Sequence, residues 1–290
     1  MPCRIGITLG DPAGIGPEVV RAALASDRLP PDAEFRIIGD AAGHLPGKPT
    51  ADGARGAFAA LEEAVSLAKR GEIDAVVTGP IHKAHMYEVG FDFPGQTEFF
   101  AARCGVENFA MCLTGGALTV VLTTIHIPLR EVATSLRRSE IVRVGSLLEG
   151  FLRTRLQRAP RIAVAGLNPH AGESGAIGSE EGEIIAPAVE QLRETLSDSV
   201  IEGPFSPDTI FHHAAAREWD GIVCMYHDQG LIPLKLHAFH EGVNVTLGLP
   251  FPRTSPDHGT AFDIAGKGIA RPDSMIAAIN VAADLVTKRN

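Results

Sequence analysis

The chain has 290 residues, 45% hydrophobic and 21% charged, with a formal net charge of −9, a balance that fits a folded protein of one large or two unequal lobes and excludes disorder. Aromatics make up only 6% and no Lys/Arg cluster exceeds a pair such as Arg137-Arg138, which argues against nucleic-acid binding. No apolar stretch approaches the ~20 residues of a membrane span.

From the amino terminus onward, short Val/Ile/Leu-rich runs alternate with longer stretches of helical period, which predicts βα units around a mostly parallel sheet. Strands are predicted at 4–8, 35–39, 74–79, 118–124, 161–166, 221–225 and 243–248, all interior to a sheet. Helices are predicted at Pro17–Ala25, Gly56–Arg70, Ser139–Leu156, Ser179–Leu196 and Ser274–Lys288. Pro17 suits a first helical position. In the second helix Phe58, Leu61, Val65 and Ala68 share one face, and Gly71 stops it. The segment His44–Gly53 reads as a surface loop. No repeat or long linker is present, so a lobe boundary must fall in short turns. Cys3, Cys104, Cys112 and Cys224 show no CxxC spacing, and the start MPCRIGITLG lacks the apolar core of a signal peptide. A reducing cytoplasm is the expected location, with Cys224 a buried free thiol.

In open α/β sheets, ligands gather at the carboxyl ends of strands. Four turns there carry a histidine: Gly79–Lys83, Thr123–Pro128, Leu167–Glu173 and Met225–Gly230. Convergent imidazoles would suit a divalent cation, although each could equally cap its own turn, and the separations are no metal signature. The turn Gly10–Glu18 is neither GxGxxG nor a P-loop; it is either a plain tight turn or a display of backbone N–H groups. Further on, Lys235, Asn244 and Arg253 precede the turn His258-Gly259-Thr260. The two cations fit a phosphate or carboxylate, or are solvated surface charges.

Together GDPAGIGPE (10–18), VVTGPIHK (76–83), TTIHIPLR (123–130), GLNPHAGE (166–173), MYHDQGLIPLK (225–235) and GVNVTLGLPFPRTSPDHGTAFDIAG (242–266) resemble the 4-phosphohydroxy-L-threonine dehydrogenase family of vitamin B6 biosynthesis. The resemblance covers nearly the whole chain. It implies a two-lobed α/β/α sandwich of the isocitrate/isopropylmalate dehydrogenase-like type, with a mixed, mostly parallel sheet that is not a Rossmann fold. Residues 1–95 with 236–290 would form a cofactor-side lobe, and 96–235 a metal, substrate and dimerisation lobe.

The family's chemistry implies oxidation of a secondary hydroxyl by NAD, with NADP the alternative, and then loss of carbon dioxide to leave an amino-ketone phosphate. A divalent cation (Zn, Mg, Mn or Co) would be held by His126, His170 and His227, the third ligand coming from the neighbouring subunit of a homodimer whose active sites lie at the interface. Asp228 would act as base or as orienter of a ligand, and Lys235 would join it in catalysis. Substrate contacts fall on Thr97, Lys235, Asn244, Arg253 and the Gln96 position, and the adenosine half of the cofactor on His258, Gly259, Thr260 and Asp263.

Two departures stand out. Gln96-Thr97-Glu98 replaces the family's His-Thr-Glu, and Ser174–Gly178 replaces Gly-Gly-His-Met-Gly. A neutral amide cannot carry charge. The expected substrate is therefore 4-phosphohydroxy-L-threonine, with another 4-phosphorylated acid such as D-threonate or D-erythronate phosphate as the alternative. A dihydrodiol carboxylate, or a metal-dependent reaction without redox, are more distant readings.

Overall fold

The computed structural model describes residues 2–289. They form two compact units, one from residues up to Glu107 and from His240 onward, the other Asn108–Phe239.

The first unit opens with β1 (Cys3–Thr8), α1 (Gly16–Leu24) and β2 (Ala33–Ile38), followed by α2 (Ala51–Lys69), β3 (Ala75–Thr78), α3 (Lys83–Glu88) and α4 (Gln96–Cys104). Helix α2 starts five residues before its predicted first turn. The hydroxyl of Thr50 accepts the Gly53 amide at 3.1 Å, a side-chain cap that draws the end of the expected His44–Gly53 loop into the helix. Its buried face includes Ala57, Leu61, Ala64 and Val65. Phe58 on α2 meets Phe91 and Phe99 edge-on, and Phe99 also contacts Phe93 and Phe100. This aromatic cluster seats α4, which Gly105 ends in the left-handed conformation.

The second unit contains β4 (Ala110–Gly115), β5 (Leu118–Leu122), α5 (Leu129–Ser135), α6 (Arg138–Leu156) and β6 (Arg161–Ala165). A left-handed turn, Pro169–Gly175, follows, and then a π-helical turn, Glu181–Ile185, that runs into α7 (Ala186–Thr195). The regular helix predicted from Ser179 thus begins only at Ala186. After β7 (Val200–Phe205) and α8 (Ile210–Ala215) come β8 (Gly221–Cys224) and α9 (His227–Ala238). The strand order is β4-β5-β8-β6-β7, antiparallel between β4 and β5 and parallel elsewhere. Leu113, Val120, Leu122, Ala163, Ile222 and Leu234 fill its core.

The chain then completes the first unit with β9 (Val243–Leu247), β10 (Arg253–Pro256) and α10 (Asp273–Arg289), giving the order β2-β1-β3-β10-β9. All these pairs are parallel except β9 with β10. Strand β2, predicted to be interior, instead lies at an edge. Among the described residues it pairs only with β1, and Glu34, Arg36 and Ile37 are exposed. Helix α10 packs on β10 through a hydrogen bond from the Thr254 hydroxyl to Ala278 O.

Candidate functional site

In the second unit, the turns after β5 and β8 are laced together. Thr123 N donates to Cys224 O at 2.8 Å, and the Thr124 amide and hydroxyl both donate to Met225 O. This lacing brings the His126 and His227 rings to a centroid separation of 5.6 Å. The Asp228 carboxylate lies 2.6 Å from His227 Nδ1. A carboxylate can only accept, so Nδ1 is the donor, which in a neutral ring leaves the lone pair on Nε2. That is the tautomer a metal-ligating imidazole uses. Lys235 lies two turns further along α9, half-buried.

His170 sits in the left-handed turn, where His170, Ala171, Glu173 and Ser174 all hold φ between 44° and 57°. Left-handed backbone costs an L-residue on the order of 1 kcal/mol each, so four of them within five residues, with Gly172 between the pairs, need support from their surroundings. His170 also bears on Asp208, whose carboxyl is held below the usual range first by the Ser206 hydroxyl and to a lesser extent by this ring. His126 and His227 are brought together, but His170 does not complete a triad with them. Among the described residues, no three His, Cys, Asp or Glu side chains converge closely enough to hold an ion.

The first unit carries a different constellation. Arg253, on β10, is 2% exposed; its side-chain hydrogen bonds go to neutral groups, and the Glu98 carboxylate acts on it electrostatically without a hydrogen bond. Nη1 donates to Thr246 Oγ1 at 3.2 Å, while Nη2 donates to Thr78 Oγ1 and to Gln96 Oε1 at 2.9 Å. Nε has no partner, and the group lies 5.4 Å over the Phe100 ring. Burial pushes its pKa down to about 9. A buried cation without a carboxylate partner is costly unless it meets an anion in use. Thr97 is also buried, its hydroxyl 3.2 Å from that of Thr246. The Gln96 amide is engaged at both ends, because its Nε2 donates to Gly79 O at 3.1 Å. Asn244 on β9 keeps a buried Oδ1 without a partner. Thr78, Thr246 and Phe100 were not singled out in the sequence, and only the position of the two threonines in polar-ended strand blocks could have signalled them.

In the same unit the Gly10–Glu18 turn is packed backbone to backbone. A Cβ on Gly10 would lie 2.2 Å from Pro80 O, and one on Gly16 would lie 1.9 Å from Leu9 O, so neither position has room for a side chain. Ile15 N donates to Thr260 O at 2.9 Å, which ties this turn to the His258–Thr260 segment. His258 is half-buried, and burial lowers its pKa; its Nδ1 reaches Gly259 O at 3.1 Å and its Nε2 has no partner. Gly259 and Asp263 are exposed, with open space beside Gly259.

Mostly parallel strands, polar groups gathered at their carboxyl ends and no glycine-rich dinucleotide loop define an α/β protein of the isocitrate dehydrogenase-like fold. Isocitrate dehydrogenase from Methylococcus capsulatus shares that fold with a TM-score of 0.54 at 17% identity, over 95% of this chain and 83% of that one. Within this fold the chain belongs to the family of the pyridoxal phosphate biosynthetic protein PdxA, whose model matches residues 20–282. A 4-hydroxythreonine-4-phosphate dehydrogenase of Zymomonas mobilis is 44% identical over 98% of this chain and 96% of its own length. The crystal structure of the Klebsiella pneumoniae enzyme of that name superposes with a TM-score of 0.82 at 37% identity, over 99% of this chain and all of that one.

Proposed function

We propose that the protein oxidises 4-phosphohydroxy-L-threonine with NAD(P) and releases carbon dioxide, leaving 3-amino-2-oxopropyl phosphate, in pyridoxal phosphate biosynthesis. The observation that carries this reading is the buried Arg253 guanidinium, whose hydrogen bonds all go to neutral groups. With Nε unpartnered and no carboxylate hydrogen-bonded to it, such a group is an anion receptor that Glu98 offsets only at a distance, and a phosphoryl or carboxylate group of the substrate supplies a directly bonded charge. Thr97 and Asn244 offer further polar atoms from the same unit. Gln96 acts indirectly in this reading. With both ends of its amide engaged, it orients the guanidinium and leaves recognition to Arg253.

The donor set fits a divalent cation held by His126, His170 and His227 in a homodimer, with one ligand coming from the partner subunit. The contact of Asp228 with His227 Nδ1, which leaves Nε2 to face a ligand, supports one of these positions. A cation held there by these residues would supply Lewis acidity to the substrate's hydroxyl and carbonyl oxygens. Asp228 holds the His227 ring through Nδ1 and so serves as its orienter. Lys235 presents a cationic side chain to negative charge developing on the substrate. The nicotinamide cofactor supplies the hydride acceptor, with His258, Gly259, Thr260 and Asp263 assigned to its adenosine half.

A second copy of the chain is the partner. Ile232 (66% exposed) and Leu236 (88%) line one side of α9, the helix that begins with His227, and Leu129 (72%) lies three residues after His126. Exposed apolar groups beside the histidines fit an interface that also completes the cation site. All four cysteines are free, which fits a reducing cytoplasm, and among the described residues no helix is long and apolar enough to cross a membrane.

The test is NADH or NADPH formation, read at 340 nm, across 4-phosphohydroxy-L-threonine, D-threonate and D-erythronate 4-phosphates and their unphosphorylated forms, with and without chelator. The reading expects turnover of the first compound, loss with chelator and little activity on unphosphorylated forms. Preference for another phosphorylated acid would reassign the substrate, and turnover indifferent to chelation would remove the cation.

A further inference from the structure

The left-handed turn that carries His170 and the turn that carries His227 are joined by two buried polar side chains to which the proposed function assigns no role. Glu181, 6% exposed at the start of the π-helical turn, accepts the Leu167 amide at 2.8 Å and the Asn168 amide at 2.7 Å on Oε1. Its Oε2 accepts Asn168 Nδ2 at 3.0 Å, and Glu180 takes the same Nδ2 at 2.8 Å. The fit leaves no slack: a Cβ on Gly172 would lie 2.6 Å from Glu181 Oε2. Gln229, 7% exposed on α9, accepts the Met225 amide at 2.6 Å on Oε1 and donates from Nε2 to Gly166 O at 2.7 Å.

Gly166, Leu167 and Asn168 thus form a node. One side is gripped by a carboxylate from the π-helical turn, the other by an amide from the helix of His227. The Ala171 amide in turn donates to Asn168 O at 3.1 Å, which extends the node into the left-handed run. Regular helix over 181–185 would place the Glu181 side chain differently, and wide π turns inside helices recur where a side chain must be aimed. A run of four non-glycine residues at positive φ persists only when the surroundings over-determine it.

We propose that Glu181 and Gln229 are positioning residues that fix the His170 turn and the His227 turn of one subunit, so that each turn presents its ligand, His170 to that subunit's own cation site and His227 to the partner's, before any ion arrives. This inference rests on the proposed role of the histidines. Neither residue contacts the substrate or the ion; both act through the backbone at Gly166–Asn168, in the way outer groups around a metal site orient its ligands.

The experiment is a titration of the full chain with Co²⁺ alone, read by visible absorption, on the parent, Glu181→Gln and Gln229→Glu, with amide hydrogen exchange over 166–174 followed alongside. Each substitution is expected to weaken cobalt binding about 10- to 100-fold and to speed exchange at Ala171. A lowered melting temperature with cobalt affinity intact would mean that both residues are merely structural, and would overturn the proposal. If Glu181→Gln does not fold, Gln229→Glu decides alone, because it keeps an acceptor for the Met225 amide and replaces the donor to Gly166 O with a carboxylate oxygen that repels it. Cobalt binding by His170→Ala equal to the parent's, or none by the parent, would sink the cation reading and not the brace. The brace would then be judged by Gln229→Glu on exchange at Ala171, where an unchanged rate would refute it.

Discussion

Replacing Arg253 with methionine should stabilise the resting protein and cripple the enzyme at once. Burial depresses the guanidinium pKa to about 9, which from the ordinary arginine value corresponds to a cost on the order of 5 kcal/mol for the charged form. Against this stand three hydrogen bonds to Thr78, Gln96 and Thr246, together worth about 3 kcal/mol. A methionine of similar volume removes both terms, so the variant should gain about 1–3 kcal/mol in urea unfolding at neutral pH. The sign depends on pH. A basic group whose folded pKa is lowered weakens the fold in full below that pKa, and the penalty is relieved as pH rises above 9. The difference between parent and variant should therefore shrink in alkaline buffer. In catalysis the loss of a charge-assisted fork to the substrate anion, about 3–5 kcal/mol, should lower kcat/KM roughly 10²- to 10⁴-fold. Inorganic phosphate should raise the melting temperature of the parent and leave the variant unmoved. A variant less stable by several kcal/mol would refute this reasoning and make Arg253 a structural residue.

Three further outcomes follow from the site. Asp228→Asn should weaken divalent-cation affinity about 10- to 100-fold while the protein still folds, because an amide can present its NH₂ to His227 and favour the wrong tautomer; unchanged affinity in calorimetry would count against the orienting role. Gln96→His should leave activity near the parent's above pH 7 and reduce it below about pH 6, since only a neutral imidazole can accept from Arg253; a flat pH profile would show that Gln96 does not act through the guanidinium. Leu236→Asp should yield monomers in size-exclusion chromatography with turnover lost, and an active monomer would exclude a shared site.

Hydrophobic periodicity made much of the βα alternation legible, because strands such as β3 and β8 are buried on both faces and read as short, largely apolar runs. Strand β4, AMCLTG, escaped because Met, Cys and Thr dilute its pattern. In β7 the Gly203-Pro204 pair reads as a turn, yet an edge strand tolerates proline. Strand β10, RTSP, is polar by composition and buried only because β3 and β9 flank it. The site shows the same division. The histidines and Arg253 stood out by residue type at strand ends. Thr78 and Thr246 did not, because a strand threonine is ordinary until a guanidinium is seen between them. Glu181 was equally silent, since its role depends on a π turn and a left-handed run that no spacing announces.

The most direct test of the account is the stoichiometry of a single reaction, with NADH measured by absorbance and carbon dioxide trapped from carboxyl-labelled 4-phosphohydroxy-L-threonine in the presence of divalent cation. Equal amounts of reduced cofactor and released carbon dioxide, both abolished by chelator, are the predicted result. Reduced cofactor without carbon dioxide, or no reduction of either cofactor, would contradict it.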